Sequence, residues 1–416
     1  MSNAEIQASV KKTLGFDVDV SDLKNSIQGC VVNSAHPYLI LQWATRTGKS
    51  LPSLKLCATG KSLCFTPTQL LHNNHKVEAA KWGIGISNTT FACYASSHKY
   101  IDEEYDILWL DEAHNCTENN ISNIAQIKAK RIICTSATIP SEKMKLLYQL
   151  GKPKIYTITT LIGIQWGLIS KPEIFVIDKP LSPFVNHIYE KGKDKNKKNV
   201  SCTFNEYQKT YKWMKSAQRP NLKITANEIE YYQLLGEEFD KLTWAYRQKD
   251  ADRGRIEMQR KLLGGKRKQW LNSIKTLYAI EICKKLRQKG QRFIVFTNDI
   301  NQCGLIAQGK TQIHSDNPSK DDEQSIIDFN NKVINELYAV SKMDAGLTLY
   351  DFDAAIHVSL SGSTIQSTQR TGRSLASDFP IVYVIRIPNT KDAEFFEGLR
   401  SELPQDCFKT IKITEI

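Results

Sequence analysis

The sequence predicts an α/β fold: two parallel-sheet domains with a mostly helical, basic insert between them. Three observations carry this. Short apolar runs of strand character recur along the chain, helix-like stretches separate several of them, and the texture changes between about residues 190 and 270. Buried strands alternating with helical patterns imply parallel sheets built from βαβ units. A chain of 416 residues is too long for one ordinary domain, and an apolar fraction of 41% is ample for more than one core.

In chain order the strand-like runs are PYLILQWA (37–44), KSLCFTP (61–67), YDILWLDEA (105–113), AKRIICTSA (129–137) and KPEIFVID (171–178). After a gap come RFIVFTN (292–298), NELYAVS (335–341), AAIHVSL (354–360) and PIVYVIRI (380–387). Helical patterns include Asn73 to Lys81 and Leu271 to Gln288. The expected units are residues 1–165, an insert over 181–270, and residues 271–416, with the strand at 171–180 a candidate addition to the last. Within the insert, EKGKDKNKKNV (190–200) reads as a loop or disordered tether, and about Tyr207 to Trp270 reads as helical.

The charge balance is 56 Lys and Arg against 44 Asp and Glu, a net +12, with a pI near 9.0. This favours a polyanionic partner, because attraction to phosphates needs no sequence recognition. The ten cysteines are scattered without a CxxC, and none of the eight histidines sits at metal-ligand spacing from them. A disulfide scaffold and a zinc module are therefore not expected. The opening MSNAEIQASVKK lacks a signal-peptide apolar run, and no segment approaches the roughly 18 apolar residues of a membrane span. A soluble cytoplasmic chain with reduced thiols is expected.

WATRTGKS (43–50) ends like a phosphate-gripping loop but has Trp43 where the full pattern wants glycine. It follows a strand-like run, so strand-loop-helix placement holds. Backbone N–H groups around Thr47 and Gly48 would cradle phosphates, Lys49 would reach the β/γ phosphates, and Ser50 would ligate Mg2+. Alone, the octet equally fits a surface turn. Farther on, DILWLDEAHN brings a strand straight into Asp111 and Glu112, at the sheet edge where α/β folds bind ligands. One carboxylate can hold Mg2+ through water, and the next can activate the attacking water.

TGKS, then DEAH, then Ser136-Ala137-Thr138, RFIVFTN, DAGLTL (344–349) and Gln369-Arg370-Thr371-Gly372-Arg373 follow one another in the order of the motifs of superfamily-two helicases and translocases. The resemblance runs from about residue 28 to 390, leaving out the insert. FTPTQLLHNNHKVEAAKWG (65–83) and CYASSHKYIDEEYDILWLDEAHN (93–115) look like the small DNA helicases of bacteriophages, in the Swi/Snf-type and UvsW-type pattern.

That resemblance implies two RecA-like domains, ATP and Mg2+ as cofactors, and nucleic acid as partner, with DNA favoured over RNA. It implies a monomeric motor of replication, recombination or repair that works with other such proteins. Lys49, Thr47, Gly48 and Ser50 would bind phosphate, with Ser50 and Asp111 on the metal and Glu112 as catalytic base. His114, Ser136, Thr138 and Gln369 would couple nucleotide state to domain closure, and Gln28 would read adenine. Gly346 and Asp344 would face the nucleotide from the second domain, and Arg370 and Arg373 would bring charge to the γ-phosphate. Thr66, Pro67, Thr68, Ser96, Thr297 and Asn298 would contact the nucleic-acid backbone. Trp43 and Arg46 depart from the family's small residues, and Ala376 stands where a third arginine is common. A nucleotide-gated DNA clamp with weak ATPase, or an RNA helicase, is the alternative expectation.

The insert carries Lys191, Lys193, Lys195, Lys197 and Lys198, then Arg253, Arg255, Arg260, Lys261, Lys266, Arg267 and Lys268, interleaved with aromatics from Tyr207 to Trp270. Most of the aromatics are expected in a core, and much of the charge on nucleic acid, in a duplex-gripping or strand-splitting element.

Overall fold

The structure, a computed structural model, describes residues 1–215, 217–248, 252–340, 349, 351–360 and 380–416, without the side chains of Leu70 and Ser319. The first domain opens with α1 (Asn3–Leu14) and α2 (Leu23–Val32). Then follow β1 (Tyr38–Trp43), α3 (Ser50–Cys57), β2 (Ser62–Thr66), α4 (Gln69–Lys81), β3 (Thr89–Cys93) and β4 (Glu104–Asp111). It closes with α5 (Glu118–Ile124), β5 (Lys128–Ser136), α6 (Ser141–Leu147), β6 (Lys154–Ile158) and α7 (Thr160–Gln165).

The strands form one sheet in the order β3-β2-β4-β5-β1-β6, parallel throughout. YLILQW and SLCFT lack polar alternation because both sheet faces are covered. Leu39, Leu41 and Trp43 pack on one face, and Ile40, Leu63 and Phe65 on the other. Helix α1 starts at a Ser2–Glu5 capping box and stops at Gly15, which takes the left-handed conformation.

Next come β7 (Glu173–Asp178), then the insert: β8 (Asn186–Lys191), β9 (Asn199–Thr203), a short α8 (Phe204–Glu206), β10 (Asn221–Asn227), α9 (Glu228–Tyr246) and α10 (Arg253–Ser273). The second domain continues with α11 (Thr276–Gln288), β11 (Phe293–Thr297), α12 (Ile300–Ala307), β12 (Gln312–Ile313), α13 (Ser319–Asn330), β13 (Glu336–Val340), β14 (Ala354–His357) and β15 (Ile381–Arg386). A helix at Lys391–Ser401 and β16 (Phe408–Ile411) follow. Its sheet runs β12-β13-β11-β14-β15-β7-β16, again parallel, so it takes one strand from ahead of the insert. The two domains are parallel-sheet α/β units, as the strand pattern predicts, and RecA-like, as the resemblance implies.

The insert is helical over α9 and α10 but also holds a three-stranded sheet, β8-β10-β9. The charged run at 190–200 is not a disordered tether. It spans the end of β8, a turn and the start of β9. Asn221 fixes that turn, accepting from the Asp194 amide at 3.0 Å and donating to the Asp194 carbonyl at 2.8 Å. Tyr189, Phe204, Tyr207, Leu222, Ile224 and Tyr231 form a core, with Tyr211 and Trp270 packed against it. Trp213 and Trp244 instead stay exposed.

The insert is fastened to the second domain. Glu228, at the start of α9, pairs with buried Lys179 beyond β7. The Lys391 amide donates to the Tyr232 hydroxyl at 2.9 Å, and Gln269 donates to Asp299 at 3.1 Å. No described helix is long and apolar enough to cross a membrane.

Candidate functional site

The carboxyl ends of β1, β2, β4 and β5 lie side by side in the first sheet, so WATRTGKS, FTPT, DEAH and SAT meet at one edge. Trp43 is wholly buried and belongs to the core beneath the loop, not to the loop itself. The chain then turns: the Thr47 hydroxyl donates to the Ala44 carbonyl at 2.7 Å and its amide to the same oxygen at 3.3 Å. Arg46 (φ 75°) and Gly48 (φ 83°) both adopt the left-handed conformation. A Cβ at Gly48 would meet the ends of the Gln28 and Lys24 side chains, which can give way, so it is the left-handed φ that favours glycine there. Lys49 and Ser50 follow at the start of α3, the helix-N-terminus placement that suits phosphate.

Gln28 lies on α2, 1% exposed, and donates to the Gly48 carbonyl at 3.0 Å. Its Oε1 is buried with no partner, an acceptor left over beside the loop. Lys24, one turn earlier, reaches the Arg46 carbonyl at 3.4 Å. Burial, with Arg46 nearby, pushes its ammonium below the ordinary lysine range. Arg46 itself donates to the Leu349 carbonyl at 2.9 Å, joining the loop after β1 to the second domain. Arg46→Gly is therefore expected to relieve left-handed strain of about 1–2 kcal/mol in the first domain while loosening the two domains in the absence of nucleotide. Small-angle scattering and thermal unfolding check this; an unchanged radius of gyration counts against the strut.

Asp111, at the end of β4, is 3% exposed. Its Oδ1 accepts from the Thr135 hydroxyl at 2.7 Å and its Oδ2 lies 2.9 Å from His75 Nε2. Burial alone would raise this carboxyl, but attraction and hydrogen bonding from His75, the charge of Lys49 and the Thr135 bond hold it below the ordinary value. Each oxygen keeps one lone pair, so a metal-bound water would share Asp111 with His75. Sequence reading missed His75; nothing in the spacing of LHNNHK marks one histidine as a carboxylate partner. Among the described residues no group of three or more His, Cys, Asp or Glu is arranged to hold a metal by itself.

Glu112 is also left-handed (φ 48°), which swings its side chain back over the loop. Its Oε1 lies 3.1 Å from Lys49 Nζ, while Oε2 is buried without a hydrogen bond, 3.4 Å from His114 Nδ1. His114 Nδ1 is 2.9 Å from the Ser136 hydroxyl, which donates to the Thr138 carbonyl at 2.9 Å. With the Ser136 proton so committed, Nδ1 carries the ring proton and Nε2 accepts from Asn115 at 3.1 Å. Burial lowers His114 despite the opposing pull of Glu112, in keeping with this neutral tautomer. The orphaned Gln28 and Glu112 oxygens and the Gly48 cradle fit a bound nucleotide with its cation.

The other predicted residues are spread unevenly. Thr66 is wholly buried, its hydroxyl spent on the Thr68 carbonyl at 2.8 Å, while Thr68 is exposed and Pro67 half-buried. Ser96 is half-buried in a 3₁₀ turn over Tyr94–Tyr100. Thr297 is wholly buried at the end of β11, and half-buried Asn298 donates to the Leu360 carbonyl at 3.4 Å. Asp344, Gly346, Gln369, Arg370, Arg373 and Ala376 lie outside the described residues.

Residues 273–375 match the helicase conserved C-terminal domain. No curated protein matches the chain in sequence. Among solved structures, Saccharomyces cerevisiae Dbp5 bound to RNA and ADP BeF3 is similar at 10% identity and a TM-score of 0.55, over 100% of this chain and 96% of that one. A Dbp5 variant bound to a Gle1 variant and IP6 gives 9% identity and a TM-score of 0.53, over 98% and 92%. The Pyrococcus furiosus Hef helicase domain gives 13% identity and a TM-score of 0.46, over 91% and 97%. The Dbp5 likeness establishes the two-domain fold.

Proposed function

We propose that this chain is an ATP-dependent nucleic-acid motor of superfamily two, acting on DNA. The observation that carries it is the contact of Lys49 with Glu112, backed by His114, Ser136 and Thr138 at the same sheet edge. The match of 273–375 to a helicase domain supports the same reading from the other half.

In this mechanism the loop from Thr47 to Ser50 would hold the phosphates, Ser50 and Asp111 would hold Mg2+, whose charge would offset that of the phosphates, and Gln28 would contact the adenine. Lys49 exchanges Glu112 for the β/γ phosphates, and Glu112, released, takes a proton from the attacking water. Arg370 and Arg373 supply charge from the second domain, so hydrolysis depends on closure. The His114–Ser136 bond passes that state to the loop after β5. Repeated closure moves the protein along a strand.

The test is ATP turnover with single-stranded DNA, duplex DNA and RNA, with Lys49→Ala as control. DNA is expected to stimulate wild type about tenfold or more and leave Lys49→Ala silent. Strongest stimulation by RNA would reassign the partner. A second reading, a nucleotide-gated clamp with weak ATPase, is favoured by the burial of Asp111 and by the bonds that His75 and Thr135 make to its two oxygens. Absence of turnover with every polymer, together with nucleotide-dependent DNA binding, would select it.

A further inference from the structure

Where the insert meets the second domain, the chain forms a cleft of about 420 Å³ that the motor chemistry leaves unused. That is the size of a small-molecule pocket, ample for one nucleobase. Its walls include Tyr231 and Trp270 from the insert, Gln269 and Ser273 from the end of α10, and Asn301 from α12, with Lys266 among the lining residues. Trp270 sits in an aromatic group, with ring centroids 4.9 Å from Tyr231 and 6.3 Å from Tyr232, and His187 edge-on at 5.5 Å.

Two features separate this cleft from a mere seam. First, Tyr231 and the half-buried Trp270 both line it, so an aromatic surface stands at its wall. Secondly, the walls are held in place. Gln269 donates to Asp299 across the seam, Gln302 donates to the Asn272 carbonyl, and the Lys391 amide is bonded to Tyr232. Asp299 caps α12 directly after Thr297 and Asn298, so the cleft lies beside the loop that closes β11. Exposed Arg255 and Lys266 lie about three turns apart on one face of α10, and Lys266 lines the cleft. Such a basic approach draws in a polyanion.

We infer that this cleft receives one unstacked base of a single DNA strand, with the aromatic wall contacting the base and Lys266 the adjoining phosphate. The inference rests on the nucleic-acid reading proposed above. An aromatic surface with amide groups accepts any base, so the pocket fixes the strand's register without reading its sequence. Because the cleft belongs to the second domain and the insert together, the held base moves with that domain during closure.

The experiment uses the full chain and a short duplex with a single-stranded DNA overhang, in which each overhang base is replaced in turn by an abasic site. One position is expected to weaken binding about tenfold, the scale of one base on an aromatic surface. Ser273→Trp, a filling change at an exposed residue, should flatten that profile, and Trp270→Phe, which leaves a smaller ring at the wall, should reduce the drop. A flat profile in wild type, or an unchanged profile in Ser273→Trp, overturns the cleft but leaves the motor reading intact. Failure of wild type to bind the overhang at all overturns both.

Discussion

Glu112→Gln is expected to lower the DNA-stimulated ATPase rate by about 10²–10⁴-fold, the span attributed to a positioned general base, while nucleotide still binds. The geometry makes the second half of that expectation specific. Glu112 lies 3.1 Å from the Lys49 ammonium, and the pair is largely shielded, with side chains 14% and 12% exposed. ATP must therefore displace a carboxylate to win Lys49. The amide keeps the shape but not the charge, so it competes less, and nucleotide affinity should rise a few-fold as turnover falls. Lys49→Ala should do the reverse on binding, which separates the two residues. Phosphate release at saturating DNA and titration with a fluorescent nucleotide read both quantities. A loss of turnover below tenfold would remove Glu112 from the role of base. Equal loss of turnover and binding would instead make it a structural partner of Lys49.

Legibility in the sequence followed burial. Central strands are readable where both faces are covered: β1 and β11 are apolar over nearly their whole length, and β4 and β5 carry apolar runs, ILWL and IIC, in their buried halves. The strands that escaped notice lie at edges or are short: β3 (TTFAC), β6 (KIYTI) and β16 (FKTI) mix polar with apolar residues because one side meets water. The insert's sheet was hidden for the same reason, its outer strands β8 and β9 being half exposed and flanking a lysine-rich turn.

At the candidate site, the motif residues stand out in the sequence because phosphate chemistry would restrict residue type. Their conformations do not. Trp43 seemed a defect of the loop, yet the structure makes it the last core residue of β1, and the loop's two left-handed positions fall at Arg46 and Gly48. Arg46 occupies one of these without glycine's freedom and is anchored by Leu349, some three hundred residues on, which no local pattern could announce. His75 is similar. Its role as partner of Asp111 arises only because α4 packs across the end of β4.

Asp392→Ala is expected to destabilise the second domain by about 3–5 kcal/mol, the range for removing one partner of a buried ion pair. Lys275 is 0% exposed, and its ammonium holds Asp392 at 2.6 Å and the Val358 carbonyl at 3.1 Å. The other Asp392 oxygen accepts from the Ile387 amide at 2.9 Å. One lysine between α10 and α11 thus ties the base of the insert to the end of β14 and to the last helix. Burial depresses the Lys275 pKa, while the charge and hydrogen bond of Asp392 work to raise it. Without Asp392 the depression deepens. The unfolded chain then binds more protons than the native one up to the ordinary lysine value of 10.5, so stability should rise with pH through that window. The variant should accordingly lose more at pH 7 than at about pH 9–10, a sign that simple loss of packing would not produce. Adding Lys275→Met removes the stranded charge and should recover a large part of the loss. The midpoint of the second domain's urea transition measures each step, since a chain of several domains has no single unfolding free energy. A loss under about 1 kcal/mol, no greater than a surface pair gives, would mean that water reaches Lys275. The insert would then be held by Lys179–Glu228 and the Gln269–Asp299 contact instead.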